Sequence, residues 1–349
     1  MSPGRLVPTA VVSDSRFRHH QPGSRHPESP ERSAVIEAAV REWSGPALEQ
    51  IAPRMATPRE ILLAHDAQHL SQMEATRLQA LTRIDADTIA SEGSYRTALE
   101  AVGGLLEVVD AVDSGAARNG FAFVRPPGHH ANRSVSQGFC LFNNVAIAAL
   151  HLRRKYDRIA IIDFDVHHGN GTEEIFYEDP NVLYASIHES PWYPGTGAAN
   201  DIGRGKGRGY NINLPLMAGA GDAEVALLFN DLLLPVLRAF SPEFLLVSAG
   251  FDGHHRDPLA NLQFTETGYL DLMRQLQIVA KDTADGRIAA VLEGGYDLPS
   301  LRSSAEACLK AFTSTIAATP WQAPAHEATG PLRALHRNAG PLASSKPAE

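Results

Sequence analysis

Residues 159–171 read Ile-Ala-Ile-Ile-Asp-Phe-Asp-Val-His-His-Gly-Asn-Gly, an apolar run that ends in acidic and imidazole side chains at alternating positions. Successive side chains of a strand point to opposite faces, so Asp163, Asp165 and His167 are expected on one side and Phe164, Val166 and His168 on the other. The flanking Ile and Phe indicate burial, and unpaired buried charge is costly. That argues against a solvated strand end and for half of a metal site.

Three other stretches supply what this one lacks. Residues 244–253, Phe-Leu-Leu-Val-Ser-Ala-Gly-Phe-Asp-Gly, form another buried-type strand running into Asp252. Residues 125–130, Arg-Pro-Pro-Gly-His-His, place His129 and His130 after a rigid turn. Residues 288–292 form a strand-like run followed by Glu293, Gly294, Gly295 and Tyr296, where paired glycines let the backbone turn sharply and present a phenol. In an open parallel sheet the loops after the carboxyl ends of the strands gather on one edge, where ligands bind, so the four stretches are expected to converge.

The 349 residues alternate strand-like and helix-like runs, and the candidate ligands lie in segments about 90 residues apart, so one α/β domain is expected over residues 1–320. Residues 6–12, 210–214 and 288–292 read as strands, and residues 30–40, 94–112, 143–155 and 222–240 as helices, the first opened by Ser29 and Pro30. The loop at 13–29 holds His19, His20 and His26, for which a salt-bridged turn is expected rather than a metal site. Residues 203–209, Gly-Arg-Gly-Lys-Gly-Arg-Gly, lack the Gly-Lys-Ser/Thr ending and following helix that a phosphate-cradling loop needs. Residues 321–349, rich in Ala, Pro, Gly and Ser, are expected to be a flexible or oligomer-contacting tail.

Lys and Arg number 31 against 40 Asp and Glu, and the formal net charge of −9 argues against direct nucleic-acid binding. Two cysteines, Cys140 and Cys308, suggest no disulfide framework. No apolar stretch is long enough to span a membrane and the amino terminus does not read as a signal peptide, so a cytoplasmic protein is expected.

In these motifs the sequence resembles the zinc-dependent histone deacetylase family, more closely its class II and bacterial histone-deacetylase-like amidohydrolase branch. The resemblance runs from about residue 20 to residue 301. It is carried by His-Pro-Glu-Ser-Pro-Glu-Arg at 26–32, the 125–130 stretch, Gly-Phe-Cys-Leu-Phe-Asn-Asn at 138–144, residues 163–171, Tyr-Pro-Gly-Thr-Gly at 193–197, Ala-Gly-Phe-Asp at 249–252 and Leu-Glu-Gly-Gly-Tyr at 292–296. Asn170 and Glu293 stand where the class I pattern carries aspartate and tends to carry glycine. The implied fold is a single-domain, three-layer arginase/deacetylase-like α/β arrangement, its central, mostly parallel sheet flanked by helices.

The resemblance implies Asp165, His167 and Asp252 as ligands of Zn²⁺, with Fe²⁺ left open as the native metal. Two carboxylates and one imidazole leave a fourth position for water or substrate, as in catalytic zinc sites. Such a site is formally uncharged and should acidify water less than an all-histidine one, so an added general base becomes useful. By resemblance, His129 is backed by Asp163 and stays cationic, while His130 is backed by neutral Asn170, titrates lower and acts as base and then acid. Tyr296 would donate to the developing oxyanion.

Phe139 and Tyr193 match the family's tunnel walls, with Gly138 and Gly294 beside them, and Asp87 matches a rim aspartate that binds substrate backbone. Leu259 sits where polyamine-selective members can carry a glutamate, which leans the reading toward acyl-lysine, in a peptide or protein, or other neutral amides. Two structural K⁺ positions are implied, one at Asp163, Asp165, His167, Ser186 and Ile187, the other at Phe176, Asp179, Val182 and Tyr210. The expected function is a zinc-dependent amidohydrolase acting on acyl-lysine or a similar N-acetylated aliphatic amine. The alternatives are an acetylpolyamine or small-amide deacetylase and a non-catalytic acyl-lysine-binding scaffold. Binuclear manganese ureohydrolases require further Asp and His ligands where this chain has its tyrosine and paired histidines. A homo-oligomer is compatible with the tail.

Overall fold

Residues 7–314, 321, 330–337 and 339–344 are described by the computed structural model. Along them run ten strands: β1 (Thr9–Val12), β2 (Leu48–Gln50), β3 (Leu81–Arg83), β4 (Ile89–Ser91), β5 (Asn119–Ala122), β6 (Ile159–Asp163), β7 (Val182–Glu189), β8 (Asn211–Leu216), β9 (Phe244–Ala249) and β10 (Ile288–Leu292). Leu6, the expected start of the first strand, lies outside the described residues. β3 and β4 make a separate antiparallel pair. The other eight form one sheet in the order β2-β1-β5-β10-β9-β6-β7-β8, with every neighbouring pair parallel.

Parallel strands need crossovers, and helices that cover both faces of the sheet explain why the strands read as unbroken apolar runs. In β6, Ile159 and Ile161 face a core shared with Leu105 and Val109 of helix Ser94–Asp113 and Val145 and Ile147 of helix Asn144–Leu152. Ala160 and Ile162 face the opposite core, with Leu272 and Leu276 of helix Glu266–Thr283 and Leu309 and Phe312 of helix Leu298–Thr313. Helix starts follow local chemistry. Asn143 accepts from Ala146 N, Thr265 from Thr267 N and Gly268 N, and Asp297 from Ser300 N, each satisfying donors that a first turn leaves free.

The helix expected over residues 222–240 departs from regularity in its middle. It runs Asp222–Leu228, widens into a π-turn at Phe229–Leu233 and resumes at Leu234–Phe240. Pro235, in the first turn of the resumed helix, has no N–H to give, and the wider turn accommodates that. Residues 203–209 form a loop with a short 3₁₀ turn, Gly205–Gly207, leading into β8. In the carboxyl-terminal segment Trp321, Leu332 and Leu342 pack against the larger core, and the carbonyl of Trp321 accepts from Asn230 Nδ2 at 2.8 Å. Within 321–349, residues 322–329, 338 and 345–349 lie outside the described residues.

Register fixes where the site forms. Asp163 at the end of β6 lies beside Ser186 of β7 and Ser248 of β9, and Leu292 at the end of β10 lies beside Ala249 at the end of β9. The loops that leave β5, β6, β7, β9 and β10 therefore open on one edge.

Candidate active site

β6 stops at Asp163, so Asp165 and His167 are presented by the following loop rather than by the strand itself. Their alternation is kept, and both meet Asp252 from the loop after β9. His167 Nδ1 lies 3.2 Å from Asp165 Oδ1 and 3.1 Å from Asp252 Oδ2. The ligand atoms of the three residues all lie within 4.8 Å of one another and all three are buried. Backbone donors aim the carboxylates: Val166 N to Asp252 Oδ1 at 3.0 Å, His167 N to Asp165 Oδ1 at 2.9 Å and Gly294 N to Asp165 Oδ2 at 2.7 Å. A Cβ on Gly294 would overlap Asp252 Oδ2 and Asp165 Oδ2, so only glycine lets this turn close over the pair.

The charges of the trio call for a cation. Burial, followed by the charge of Asp165, pushes Asp252 up to about 7. Burial opposes a charge on His167, but hydrogen bonds with Asp165 and Asp252 outweigh it and raise its pKa to about 10. Two buried carboxylates thus bind a proton on the imidazole between them, a position that a divalent metal fills with more charge. Two carboxylate oxygens and one imidazole nitrogen are a donor set suited to zinc with one position open.

The adjacent histidines have different partners. His129 Nδ1 lies 3.0 Å from Asp163 Oδ2, and His130 Nδ1 lies 2.8 Å from Asn170 Oδ1. Burial disfavours charge at His129, but Asp163 and Asp165 overcome it and raise its pKa to about 10. At His130 burial, reinforced by the neighbouring His129 and His167, holds the pKa well below the ordinary histidine value. Asp163 is itself fixed by the Tyr184 hydroxyl, which donates to its Oδ2 at 3.0 Å, and by Asp165 N at 3.1 Å.

A second trio, His129, Cys140 and Glu293, also has ligand atoms within 4.8 Å of one another. Its lone pairs are committed elsewhere. Glu293 Oε2 accepts from Gly128 N at 2.6 Å and His129 N at 3.2 Å, and Oε1 accepts from Ser248 Oγ at 2.9 Å. Burial keeps the Cys140 thiol protonated.

Above the first trio opens a cavity of about 260 Å³ lined by His129, His130, Gly138, Phe139, His167, Tyr193, Leu259, Gly294, Tyr296 and Asp87, together with Pro127 and Trp192. Its volume lies just under the range of about 300–1,000 Å³ typical of small-molecule pockets, which suits a slender chain. Phe139 packs edge-on against Tyr296 with centroids 5.8 Å apart, and Tyr193 does so against His130 at 5.2 Å. Phe139 is held at φ 67° with its N–H donating to Thr88 Oγ1 at 3.0 Å. Gly138 also has positive φ, and a Cβ there would strike the His130 ring. Burial, then Asp252, keeps Tyr296 a neutral phenol and hence a donor. Asp87 reaches the mouth, where burial and then Asp85 raise its pKa.

Of the residues implied for potassium, Asp163 and Ser186 are neighbours in the sheet, and the Ser186 hydroxyl pairs with His188 Nδ1 at 2.9 Å. In the other group the Phe176 carbonyl accepts from Asp179 N at 2.9 Å and the Tyr210 carbonyl from Tyr184 N at 2.9 Å.

Several supporting residues carried no role in the sequence reading. Glu28, buried, is bound by Arg32 at 2.8 Å, by Arg125 at 2.7 Å and by His20 Nε2 at 3.2 Å, so the 26–32 motif and one loop histidine form an ionic clasp. Arg32 continues to the Gly295 carbonyl at 2.7 Å and the Glu293 carbonyl at 2.5 Å. Glu293 served only as a class marker, yet it holds the His129 turn. Trp192 was overlooked because one aromatic beside Tyr193 has no distinguishing period.

Residues 26–312 match the histone deacetylase domain family. The chain is 38% identical over 294 residues to a probable deacetylase of Archaeoglobus fulgidus, covering 83% of this chain and 82% of that one. It is 40% identical over 310 residues to histone deacetylase 14, chloroplastic, of Arabidopsis thaliana, covering 85% and 73%. The solved HDA15 HD domain superposes with a TM-score of 0.86 at 35% identity, covering 95% of this chain and 96% of that one. The chain belongs to the histone deacetylase family, which supports a deacetylase activity for it.

Proposed function

We propose that the protein is a zinc-dependent amidohydrolase that removes an acetyl group from the side-chain nitrogen of lysine in a peptide or protein. The observation that carries this is one narrow cavity on which the metal-ligand candidate His167, both histidines of the pair, the Tyr296 phenol and two aromatic walls converge. Zinc, held by Asp165, His167 and Asp252, supplies Lewis acidity to the amide carbonyl and to water when bound. The chain's own groups do the rest. Phe139 and Tyr193 sandwich the aliphatic chain, Gly138 and Gly294 leave it room, Leu259 closes the wall and Asp87 takes the substrate backbone at the rim.

Neutral His130, its Nδ1 proton given to Asn170 Oδ1, has Nε2 free to accept a proton from the attacking water. As the carbonyl oxygen gains charge, the Tyr296 hydroxyl donates to it and cationic His129 stabilises the site electrostatically. The C–N bond then breaks, His130 returns its proton to the leaving nitrogen, and acetate and amine result. Potassium ions at the two positions named from the sequence would brace the loop after β6.

A kcat/KM panel over acetyl-lysine peptides, acetylspermidine, acetylputrescine and small amides tests the substrate. Acetyl-lysine peptides are expected to lead by at least about tenfold, the order that a buried wall contact commands. Faster cleavage of the acetylpolyamines contradicts the role given to Leu259.

A further inference from the structure

Two of the loops that build the site follow neighbouring strands and are joined at their bases, where Phe251 N donates to the Gly294 carbonyl at 3.1 Å. The loop after β9 carries Asp252 and Leu259, and the loop after β10 carries Tyr296. Asp257 bridges them. Its Oδ2 accepts from Tyr296 N at 2.6 Å and Asp297 N at 3.1 Å, and its Oδ1 accepts from Leu259 N at 3.0 Å. Its own N–H donates to the His254 carbonyl at 2.8 Å, which fixes the carboxylate to the loop it serves. Leu259 is gripped at its other end too, since Trp192 Nε1 donates to its carbonyl at 2.9 Å. On the far side of Tyr296, Arg32 holds the Gly295 carbonyl and lies 5.0 Å from the phenol ring centroid.

A carboxylate that is 6% exposed and accepts three backbone N–H groups from two loops is a costly device for merely closing a turn. We propose that Asp257 is the positioning residue of the active site: it sets the Tyr296 phenol against the metal ligands and, through Leu259, couples that setting to the tunnel wall. Asp257 touches no reacting atom, and its effect passes through Tyr296. The inference rests on the oxyanion role given to Tyr296, because a displacement of about 1 Å in a group of that kind costs about 10²-fold in rate.

The test is a mutant cycle on the full-length, zinc-loaded protein with an acetyl-lysine peptide, reading kcat, KM and bound zinc per chain for Asp257→Ala, Asp257→Asn, Tyr296→Phe and the doubles. Asp257→Ala is expected to lower kcat by about 10²-fold with zinc retained, and by less than about threefold when Tyr296 is already phenylalanine. Asp257→Asn keeps an oxygen for Tyr296 and Asp297 but turns an amide toward Leu259 N–H, so it is expected to recover about tenfold in kcat and to raise KM. Should the alanine variant fail to fold, the asparagine cycle carries the same reading. A kcat loss that adds in full to Tyr296→Phe overturns the proposal, and so does loss of zinc in both Asp257 variants. A wild-type kcat for Tyr296→Phe alone overturns instead the role of the phenol.

Discussion

His130 Nδ1 stands 2.8 Å from Asn170 Oδ1, so the imidazole assigned as base leans on a neutral amide. An amide oxygen only accepts, which places the proton on Nδ1 and frees Nε2 toward the cavity. Burial and the nearby charge of His129 already hold the imidazole neutral. Asn170→Asp puts an anion in the same place and favours the imidazolium, so less base is available in acid. The acid limb of the kcat/KM profile is expected to move to higher pH, with about tenfold loss at pH 6 and little at pH 8.5. An unmoved limb contradicts the assignment.

Tyr296 is kept protonated by burial and by Asp252, as an oxyanion donor must be. Tyr296→Phe removes the hydroxyl and leaves the ring packed on Phe139. It is expected to lower kcat by about 10²- to 10³-fold with KM and zinc content close to those of the parent. Zinc loss, measured by atomic emission, refutes the role.

Gly294 donates to Asp165 Oδ2 while its Cα sits where a side chain would collide with both carboxylates. Gly294→Ala is expected to weaken zinc affinity by about tenfold or more, as loss of ligand orientation does, and activity should fall with it. Competition with a chromophoric chelator measures this. Undiminished zinc affinity shows that the turn tolerates a side chain.

The fold was legible because both faces of the sheet are covered. β6, β9 and β10 are apolar runs broken only by Asp163 and Ser248 near their carboxyl ends, and each ends where chemistry begins. The residues proposed to meet substrate or metal stood out for a related reason: His167, Asp252 and Tyr296 are polar groups within two residues of a glycine shortly past a strand end, and Asp165 alternates with His167. The residues that hold them were not visible. Asp257 and Glu293 act through backbone N–H groups, which every residue owns, so no side-chain pattern announces their partners. The Glu28 clasp joins residues 97 positions apart, a pairing that only the folded chain reveals. The π-turn at Phe229–Leu233 was hidden because its apolar period differs little from that of a regular helix.

Acid should unfold the protein through buried histidines away from the site. Burial lowers His65 to about 3, with His69 adding to the effect, and lowers His188 to about 3, with His168 adding to it. Both stay neutral in the folded chain while the unfolded chain protonates below its ordinary value near 6.5, so the unfolded state binds more protons between about pH 6.5 and 3. Stability is full above that window and is lost as pH falls through it, by about 1.4 kcal/mol per pH unit for each histidine. His129 and His167, raised to about 10, are protonated in both states there and contribute nothing to this slope. Urea denaturation from pH 7 to pH 5 in the presence of chelator measures it. Asp252 and Glu293, both raised to about 7 by burial, take up protons in the folded chain over the same range and slope the other way. The histidine share is therefore read as the difference in slope between the parent and the His65→Asn, His188→Asn double variant. An unchanged slope contradicts the burial of two neutral imidazoles.

The most direct measurement is anomalous diffraction at the zinc edge on crystals of the zinc-loaded protein. The expected result is a peak about 2.0–2.2 Å from one oxygen of Asp165, one nitrogen of His167 and one oxygen of Asp252. A peak at the His129, Cys140 and Glu293 group instead, or none near either trio, would contradict the assignment of the metal centre.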